Sequence, residues 1–269
     1  MVKKTGKILA AVLLIGIILV NIFPFLYMFL MSFKSTINAG NISLDPKEFT
    51  LVQYKQIFAL EGFTRFIVNS VVVAAAGVLL AVAVSTIAGF AFAKLNFKGN
   101  DRLFFSMILT LAVPSEVILV PLFLITKNLG LLNTYWALIL PLPTAVGVFI
   151  LRQAVLSIPN ELIDAARIDG ASRMRIFFRI VLPLSKSAIL ALAIFTFVGA
   201  WNNYTWPLVA CTEDSMKTLP LALNMMKTQY NADVGLTMAC AVINFIPPFV
   251  FYLFMQKQFK AGMTMSGLK

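Results

Sequence analysis

Glu161-Leu-Ile-Asp-Ala-Ala-Arg-Ile-Asp-Gly-Ala171 is a short polar stretch that lies between two long hydrophobic segments of the chain. Basic residues are dense in it and just after it, at Arg167, Arg173, Arg175 and Arg179. Lysine and arginine beside membrane spans accumulate on the cytoplasmic side. The stretch therefore predicts a charged cytoplasmic helix and turn within a polytopic membrane protein. A folded loop of this kind indicates a partner that docks onto it.

The composition also indicates a membrane protein. Of 269 residues, 60% are hydrophobic and 12% are charged, and the mean hydropathy is +0.90. About 20 apolar residues are needed to cross the roughly 30 Å of hydrocarbon in a bilayer. The apolar windows predict an all-α, polytopic fold with a single domain over residues 1–269. Six transmembrane helices are expected at about 8–33, 66–93, 103–126, 134–151, 187–209 and 236–256, with a cytoplasmic loop at about 157–185.

The positions of the basic residues predict the orientation of these spans. With a cytoplasmic N-terminus, 15 of the 22 Lys and Arg residues fall on the cytoplasmic side. This bias predicts that both termini are cytoplasmic. It also accounts for the net charge of +11 without a nucleic-acid partner. The apolar run after Lys3 and Lys4 is longer than the roughly 7–15 residues of a signal-peptide core, so we expect an uncleaved first span.

Small residues and prolines predict how the spans pack and bend. Small side chains recur at every fourth position of the second span, at Gly77, Ala81, Ser85 and Gly89. This spacing lets two helix backbones approach closely in lipid, so it indicates packing rather than ligand binding. A proline within a span bends the helix. We expect bends in the later spans at Pro114, Pro121, Pro141, Pro143, Pro207, Pro247 and Pro248.

The residue types of the polar loop predict its local structure. The segment Ser157-Ile-Pro-Asn160 offers a capping residue and a proline that fit the start of a helix. Glu161 and Asp164 are then expected in the first turn, where carboxylates complement the helix dipole. Gly170 is placed to end the helix in a left-handed conformation. Residues 171–180 can form a second, basic helix that leads to the fifth span.

One face of the predicted helix carries mostly small side chains. It holds Leu162, Ala165, Ala166 and Asp169, at three- and four-residue spacing. A short helix with such a face and a sharp end suits a cleft on another protein. The alternative is a loop held by anionic lipid headgroups, since arginine clusters beside a span bind such headgroups. The residues alone leave these two interpretations level.

Further motifs occur in order along nearly the whole chain. They are Asn69-Ser70, Ala88-Gly-Phe-Ala-Phe-Ala-Lys94, Phe97-Lys-Gly99, Pro114-Ser-Glu116, Pro121-Leu-Phe123, Leu129-Gly-Leu-Leu-Asn-Thr134, Ile158-Pro-Asn-Glu-Leu162, Ala165-Ala-Arg-Ile-Asp-Gly-Ala171, Trp201-Asn202, Lys217-Thr-Leu-Pro-Leu221 and Gln256-Lys-Gln-Phe259. Each motif is weak alone. Together they resemble the permease subunits of carbohydrate-uptake ABC importers, specifically the smaller six-span member of maltose-type systems. The family usually has Glu at the first loop position, where this chain has Asp164, one methylene shorter.

The resemblance implies a type I ABC importer permease fold in the bacterial cytoplasmic membrane. It implies that the chain is not an enzyme and holds no cofactor or metal, with ATP and Mg²⁺ on two partner ATP-binding subunits. In agreement, the sequence lacks a Gly-x-x-x-x-Gly-Lys-Ser/Thr phosphate loop. The other implied partners are a second permease subunit in a heterodimer, an extracytoplasmic solute-binding protein and a sugar, expected to be an oligosaccharide or a related polyol. Coupling to the ATPase is expected at Glu161, Asp164, Ala165, Ala166, Asp169 and Gly170.

Polar residues inside the predicted spans are candidates for the substrate pathway. Glu116 is ionisable and lies within the third span, where a charge is costly. A role in the sugar pathway and a hydrogen bond to a neighbouring helix are equally supported for it.

The fifth and sixth spans carry the other pathway candidates. Trp201, Asn202, Asn203 and Tyr204 lie midway along the fifth span. An aromatic ring beside carboxamides suits a sugar ring and its hydroxyls, although asparagine also joins helices to one another in lipid. Asn244 in the sixth span is a weaker candidate. Trp206 is expected to be an anchor at the membrane interface.

Two other classes of function remain as alternatives. An ion-driven secondary transporter of small polar solutes often carries inverted repeats and several buried acids. This chain has one acid inside a span and no visible repeat, which counts against that class. A membrane enzyme is remote, because the chain has no histidine and no clustered acids or nucleophile–base set.

Overall fold

Helices make up the structure, a computed structural model that describes residues 2–34, 45–229 and 233–266. The helices of this part are α1 (Val2–Ser32), α2 (Val52–Phe58), α3 (Phe63–Lys94), α4 (Asn100–Leu109), α5 (Ser115–Asn128), α6 (Tyr135–Ile139), α7 (Ala145–Leu156), α8 (Asn160–Ile168), α9 (Arg173–Ile176), α10 (Leu182–Leu184), α11 (Lys186–Trp201), α12 (Thr205–Ala210), α13 (Leu219–Gln229) and α14 (Val234–Ser266). A π-helical turn, Phe177–Val181, joins α9 to α10. The predicted all-α class is confirmed.

Three helices of the described ranges are long and apolar enough to cross a membrane, at Ala10–Ser32, Phe63–Lys94 and Val234–Gln256. Three bent helix pairs bring the number to six if each pair is one span. They are Asn100–Ala112 with Ser115–Asn128, Ala145–Leu156 with Asn160–Ile168, and Arg173–Leu184 with Lys186–Asn202. These criteria concern length and composition. The six spans and the cytoplasmic termini therefore stay predictions.

Prolines account for two of the interruptions. The third predicted span bends by 108° where Val113 and Pro114 separate two helices. The fourth is divided into α6 and α7, and the connection between them contains Pro141 and Pro143. A proline cannot donate the backbone hydrogen bond that would continue the preceding helix. Pro114, Pro141 and Pro143 therefore interrupt these two spans, whereas Pro121 lies inside α5, which continues through it.

The later prolines do not break their helices. The fifth predicted span is interrupted at Asn202–Tyr204, before Pro207, which lies inside α12. Asn203 accounts for the new start, because its Oδ1 accepts a hydrogen bond from the backbone N–H of Trp206 at 3.2 Å. Pro247 and Pro248 lie within α14, which continues through both.

The chain forms two compact units. The first comprises Met1–Phe63 and Ala222–Pro247, and the second comprises Thr64–Leu221 and Pro248–Lys269. In the first unit, Lys34 Nζ pairs with Glu48 Oε2 at 2.8 Å, and the Tyr54 hydroxyl donates to Ser32 Oγ at 2.8 Å. The end of α1 is thereby joined to the segment that precedes α2 and to α2 itself.

In the second unit, α3 lies directly against α7 and the segment before it. A Cβ at Gly77 would collide with Leu142 Cδ1, and one at Gly89 would lie 2.9 Å from the backbone nitrogen of Arg152. From the other side, a Cβ at Gly147 would lie 2.6 Å from Ser85 Oγ. The stripe of small residues on α3 is therefore a packing surface, as predicted.

The opposite end of α3 holds the loop that follows α12. Asn69 Nδ2 donates to the carbonyl oxygens of Ser215 at 3.0 Å and Lys217 at 2.9 Å. Its Oδ1 accepts from the Tyr135 hydroxyl at 2.7 Å. This buried amide uses both its donor and its acceptor groups, so it connects three segments of the unit.

Replacing Gly89 with Val is expected to destabilise the protein, because the backbone at Arg152 leaves no space for a Cβ. Overpacking of a well-packed interior costs about 1–3 kcal/mol. The control is Gly16→Val in α1, where a Cβ would meet no atom within 4 Å. We expect a lower melting temperature in detergent for G89V than for G16V. Equal melting temperatures would contradict the close packing of α3.

Candidate functional site

The polar stretch that begins at Glu161 forms α8 and the turn after it. Glu161 lies in the first turn, as predicted, next to the positive end of the helix dipole. Asp164, also expected in the first turn, lies one turn further along and pairs with Arg167 at 2.9 Å. The predicted side-chain cap is wrong, because Pro159 precedes the helix without one and the Ser157 hydroxyl donates to the preceding turn.

The end of α8 follows the prediction. Gly170 has φ +77°, and its N–H donates to the carbonyl of Arg167 at 3.0 Å. The N–H of Ala171 donates to the carbonyl of Ala166 at 2.9 Å. These two bonds form a Schellman motif, which satisfies carbonyls at the end of a helix. A Cβ at position 170 would meet no atom within 4 Å, so glycine is required there for its backbone conformation.

The inner face of α8 is seated on an apolar cluster. Ile163 is 2% exposed and lies among Phe90, Val155, Ile158, Ile176, Phe177 and Val181. Ala166 and Ala171 pack against the same cluster. Burial of an isoleucine side chain is worth about 1.5–3 kcal/mol. One deeply seated side chain therefore determines which face of α8 points away from the protein.

The outer face of α8 differs in part from the predicted one. Leu162, Ala165 and Asp169 are exposed, as expected, but Ala166 faces the cluster, because it lies on the same side as Ile163. Ile168 takes a place on the outer face and is 87% exposed. Its three-residue spacing from Ala165 is the sequence signal for this position. The outer face is thus more apolar than predicted.

The segment after α8 forms the predicted second basic helix. Ser172 caps α9, because its Oγ accepts a hydrogen bond from the N–H of Arg175 at 3.3 Å. The helix then widens into the π-helical turn over Phe177–Val181. Turns of this kind are rare and often lie at functional sites.

A second candidate site is a cavity of about 420 Å³ between α7 and α11. Its lining is formed by Pro141, Leu142, Thr144, Val146, Ile150, Leu192, Phe195, Thr196, Gly199, Ala200 and Asn203. The surface is mostly apolar, and Thr144, Thr196 and Asn203 supply polar groups. A mixed lining of this kind suits a ligand that has both apolar faces and hydroxyls.

The predicted pathway residues of the fifth span are not all at this cavity. Asn203 lines it, whereas Trp201 is buried in an aromatic row. The rings of Trp201 and Phe197 are stacked with centroids 5.9 Å apart, and Phe197 is stacked on Phe251 at 4.0 Å. Asn202 is exposed at the end of α11, and Tyr204 is half-buried.

The remaining candidates lie elsewhere. Glu116 is exposed in the first turn of α5 and accepts a hydrogen bond from the Ser115 hydroxyl at 3.0 Å. Asn244 lies on α14, in the first compact unit. The expectation that Trp206 is an interface anchor is wrong. It is buried, and its indole N–H donates to the carbonyl of Ala137 at 2.8 Å, so it joins α12 to α6.

Comparison with known proteins identifies the family. Residues 77–265 match the family described as binding-protein-dependent transport system inner membrane component. The chain belongs to this family. The arabinooligosaccharides transport system permease protein AraQ of Halalkalibacterium halodurans is 37% identical over 100% of both chains. The lactose transport system permease protein LacG of Rhizobium radiobacter is 33% identical over 90% of this chain and 89% of its own.

A solved structure shares the fold of this inner membrane component. It is a chain of a bacterial ABC transporter involved in the import of the acidic polysaccharide alginate, with a TM-score of 0.81. The two chains are 22% identical, and the match covers 94% of this chain and 96% of that one. The protein is therefore a multi-pass, non-catalytic permease subunit of an ABC importer in the inner membrane. The fold, location and non-enzymatic role predicted from the sequence are confirmed, and an ion-driven transporter is disfavoured.

Two isoleucines of α8 provide a matched test of how this helix is seated in the permease. Ile163→Ala should destabilise the protein by about 2–4 kcal/mol, because it opens a cavity beneath the helix. Ile168→Ala is the control and should change stability by less than about 0.5 kcal/mol, because the side chain is exposed. Melting temperatures in detergent measure both effects. A larger loss for I168A would show that the opposite face is seated.

Proposed function

We propose that α8 couples this permease to the ATPase of the importer. The outer face of α8 is the observation that carries the proposal. Ile168, 87% exposed, and Leu162, 49% exposed, flank the small Ala165 on a helix whose other side is firmly seated. Exposed apolar surface on an ordered element marks an interaction site. Ala165 would let a partner approach the helix closely.

The proposed coupling set keeps the residues expected from the sequence, with distinct roles. Glu161, Asp164 and Asp169 are exposed carboxylates that would meet donors on the partner. Gly170 determines where the helix ends, and Ala166 supports it from the protein side. Two ATP-binding subunits would hold the ATP and Mg²⁺, and this chain would bind no cofactor. A second permease subunit and an extracytoplasmic solute-binding protein would complete the importer.

We further propose a single permease domain over residues 1–269, with six spans and both termini in the cytoplasm. In this arrangement α8 lies outside the bilayer. The nine residues of α8 extend only about 13 Å at 1.5 Å per residue. The helix also carries charged side chains at Glu161, Asp164 and Arg167. These properties favour a cytoplasmic helix over the second half of a broken span.

The proposed substrate is an oligosaccharide. AraQ and LacG are named for arabinooligosaccharides and lactose, and the mixed lining of the cavity is compatible with a sugar. Asn203 would contact the substrate, and Trp201 would support α11 from behind the cavity wall. The proposed pathway is completed by Glu116, Asn202, Tyr204 and Asn244. Glu116 and Asn202 are exposed in this chain and therefore available to a second permease.

Replacing Gly170 with Val tests the coupling role. A β-branched residue is strained at φ +77°, so the turn after α8 should be displaced. In the reconstituted importer we expect solute uptake to fall at least tenfold while the complex still assembles and hydrolyses ATP.

The control for this test is Gly99→Val, which places the same side chain at φ +85° on the predicted cytoplasmic side, before α4. It should retain most of the uptake. Normal uptake in G170V would reject the coupling role of α8. An equal loss in G99V would attribute the defect to backbone strain in general.

Replacing Thr196 with Val tests the cavity as a sugar pathway. The change keeps the shape of the side chain and removes a hydroxyl from the lining. We expect uptake of a labelled oligosaccharide to fall several-fold with basal ATP hydrolysis unchanged. Thr86→Val, a similar substitution at a buried site on α3, should leave uptake unchanged. Unaltered uptake in T196V would remove this cavity from the proposed pathway.

A further inference from the structure

Lys94, the last residue of α3, is bonded to the start of α8. Its Nζ donates to the carbonyl oxygen of Ile158 at 2.7 Å and to Asn160 Oδ1 at 2.7 Å. Ile158 lies just before Pro159, and Asn160 is the first residue of α8. One ammonium group therefore holds both sides of the point at which the chain enters the coupling helix.

Stabilisation of α8 by itself does not explain why a lysine lies at this end of the helix. The N-terminus of a helix carries partial positive charge, so a lysine there opposes the helix dipole. Asp164, which is itself paired with Arg167, lines the same polar crevice of about 190 Å³, and its carboxylate attracts the Lys94 ammonium group. Hydrogen bonds from a charged donor are roughly twice as strong as neutral ones. Lys94 therefore makes a strong contact between two separate elements.

The two hydrogen bonds of Lys94 are directional, whereas the rest of the contact between α3 and α8 is apolar. Phe90 on α3 and Ile163 on α8 belong to the same buried cluster, and apolar burial does not depend on direction. Such contacts determine which face of α8 is buried, but they oppose a small shift of the helix along its support only weakly. Two hydrogen bonds from one ammonium group oppose that movement, because each acceptor must remain within about 3.2 Å.

The cytoplasmic end of α3 is also joined to α7. Gly89 lies against the backbone at Leu151 and Arg152. Arg152 Nε donates to the carbonyl of Phe92 at 3.4 Å, and its guanidinium lies 4.0 Å from the ring centre of Phe104 on α4. The last two turns of α3 thus contact α7 on one side and α8 on another. α7 in turn contributes to the lining of the cavity.

We propose that Lys94 is a positioning residue that transmits displacement of α8 to the α3–α7 pair, and so to the cavity wall. The proposal deepens the coupling role of α8 and rests on it. Without the two bonds, α8 would still be seated by its apolar face and could still engage the ATPase. When the ATPase displaces it, α8 would slide along α3 instead of moving α3 with it. ATP would then be hydrolysed without proportionate import.

The test uses the complete importer in proteoliposomes and measures solute imported per ATP hydrolysed. Lys94→Met removes both bonds and keeps a long side chain, and Lys94→Arg keeps the charge and the donors. Lys98→Met, at an exposed position in the following loop, is the control for loss of a predicted cytoplasmic charge. We expect K94M to lower the ratio at least fivefold, K94R to retain at least half of it and K98M to leave it unchanged. The maximal uptake rate should fall with the KM for the loaded binding protein unaltered.

Asn160→Ala provides a second measurement if K94M does not assemble. It removes one of the two acceptors and should lower the ratio about twofold. Where K94M does assemble, the loss in the double variant K94M/N160A should not exceed that of K94M, because both changes act on one contact. Additive losses, or a normal ratio in N160A, would overturn the proposal.

The remaining outcomes separate this proposal from the coupling role itself. If K94M has a normal ratio while G170V is uncoupled, the proposed role of Lys94 is rejected and the coupling role of α8 is retained. Normal ratios in both variants would reject the coupling role of α8 together with the role of Lys94. A ratio in K94R as low as that in K94M would also overturn the proposal, because a charged donor kept at position 94 would then not preserve coupling. An equal loss in K98M would overturn it as well, because the defect would then follow from the loss of any predicted cytoplasmic charge.

Discussion

The close approach of α3 to α7 is the constraint on which the second compact unit depends. Helices in lipid gain nothing from removing apolar surface from water, so their association depends on close packing and on polar contacts. At Gly89 the backbone of Leu151 and Arg152 leaves no space for a Cβ, and a Cβ at Gly147 would lie 2.6 Å from Ser85 Oγ on α3. Two helices packed at this distance cannot move far apart without losing many contacts at once. The pair therefore forms a closely packed support, with the cavity wall on α7 and a bonded contact to α8 at the end of α3.

Helix α8 depends on that pair for its own structure. A helix of nine residues is unstable alone in water, because isolated helices shorter than about 12–15 residues are marginal. The apolar cluster around Ile163 and the Schellman motif at Gly170 provide the stability that so short a helix does not have by itself. Leu162 and Ile168 are consequently held in place on an ordered surface. A preformed surface loses less conformational entropy on binding than a flexible loop does.

Local features of this loop were predictable because local rules govern them. The need for a left-handed residue at position 170 and the acidic first turn at Glu161 follow from helix geometry. The orientation of α8 was harder to predict from the sequence. Ala166, expected on the outer face, packs against the protein and Ile168 is exposed, because burial of Ile163 among residues from α3, α7 and the π-helical turn determines the rotation of the helix. The burial of Trp206 was likewise not predictable, since a carbonyl 69 residues away accepts its indole N–H.

The sequence by itself determined the all-α membrane class, the family and the position and end of α8, because hydrophobic runs, ordered motifs and a required glycine are properties of the chain. Only the tertiary structure decided which face of that helix is free, where the fifth predicted span breaks and which polar groups line the cavity. The tertiary structure also decided the contacts of Lys94, which in the sequence is one more predicted cytoplasmic charge. Its partners lie 64 and 66 residues away, and no local pattern encodes a contact across that separation.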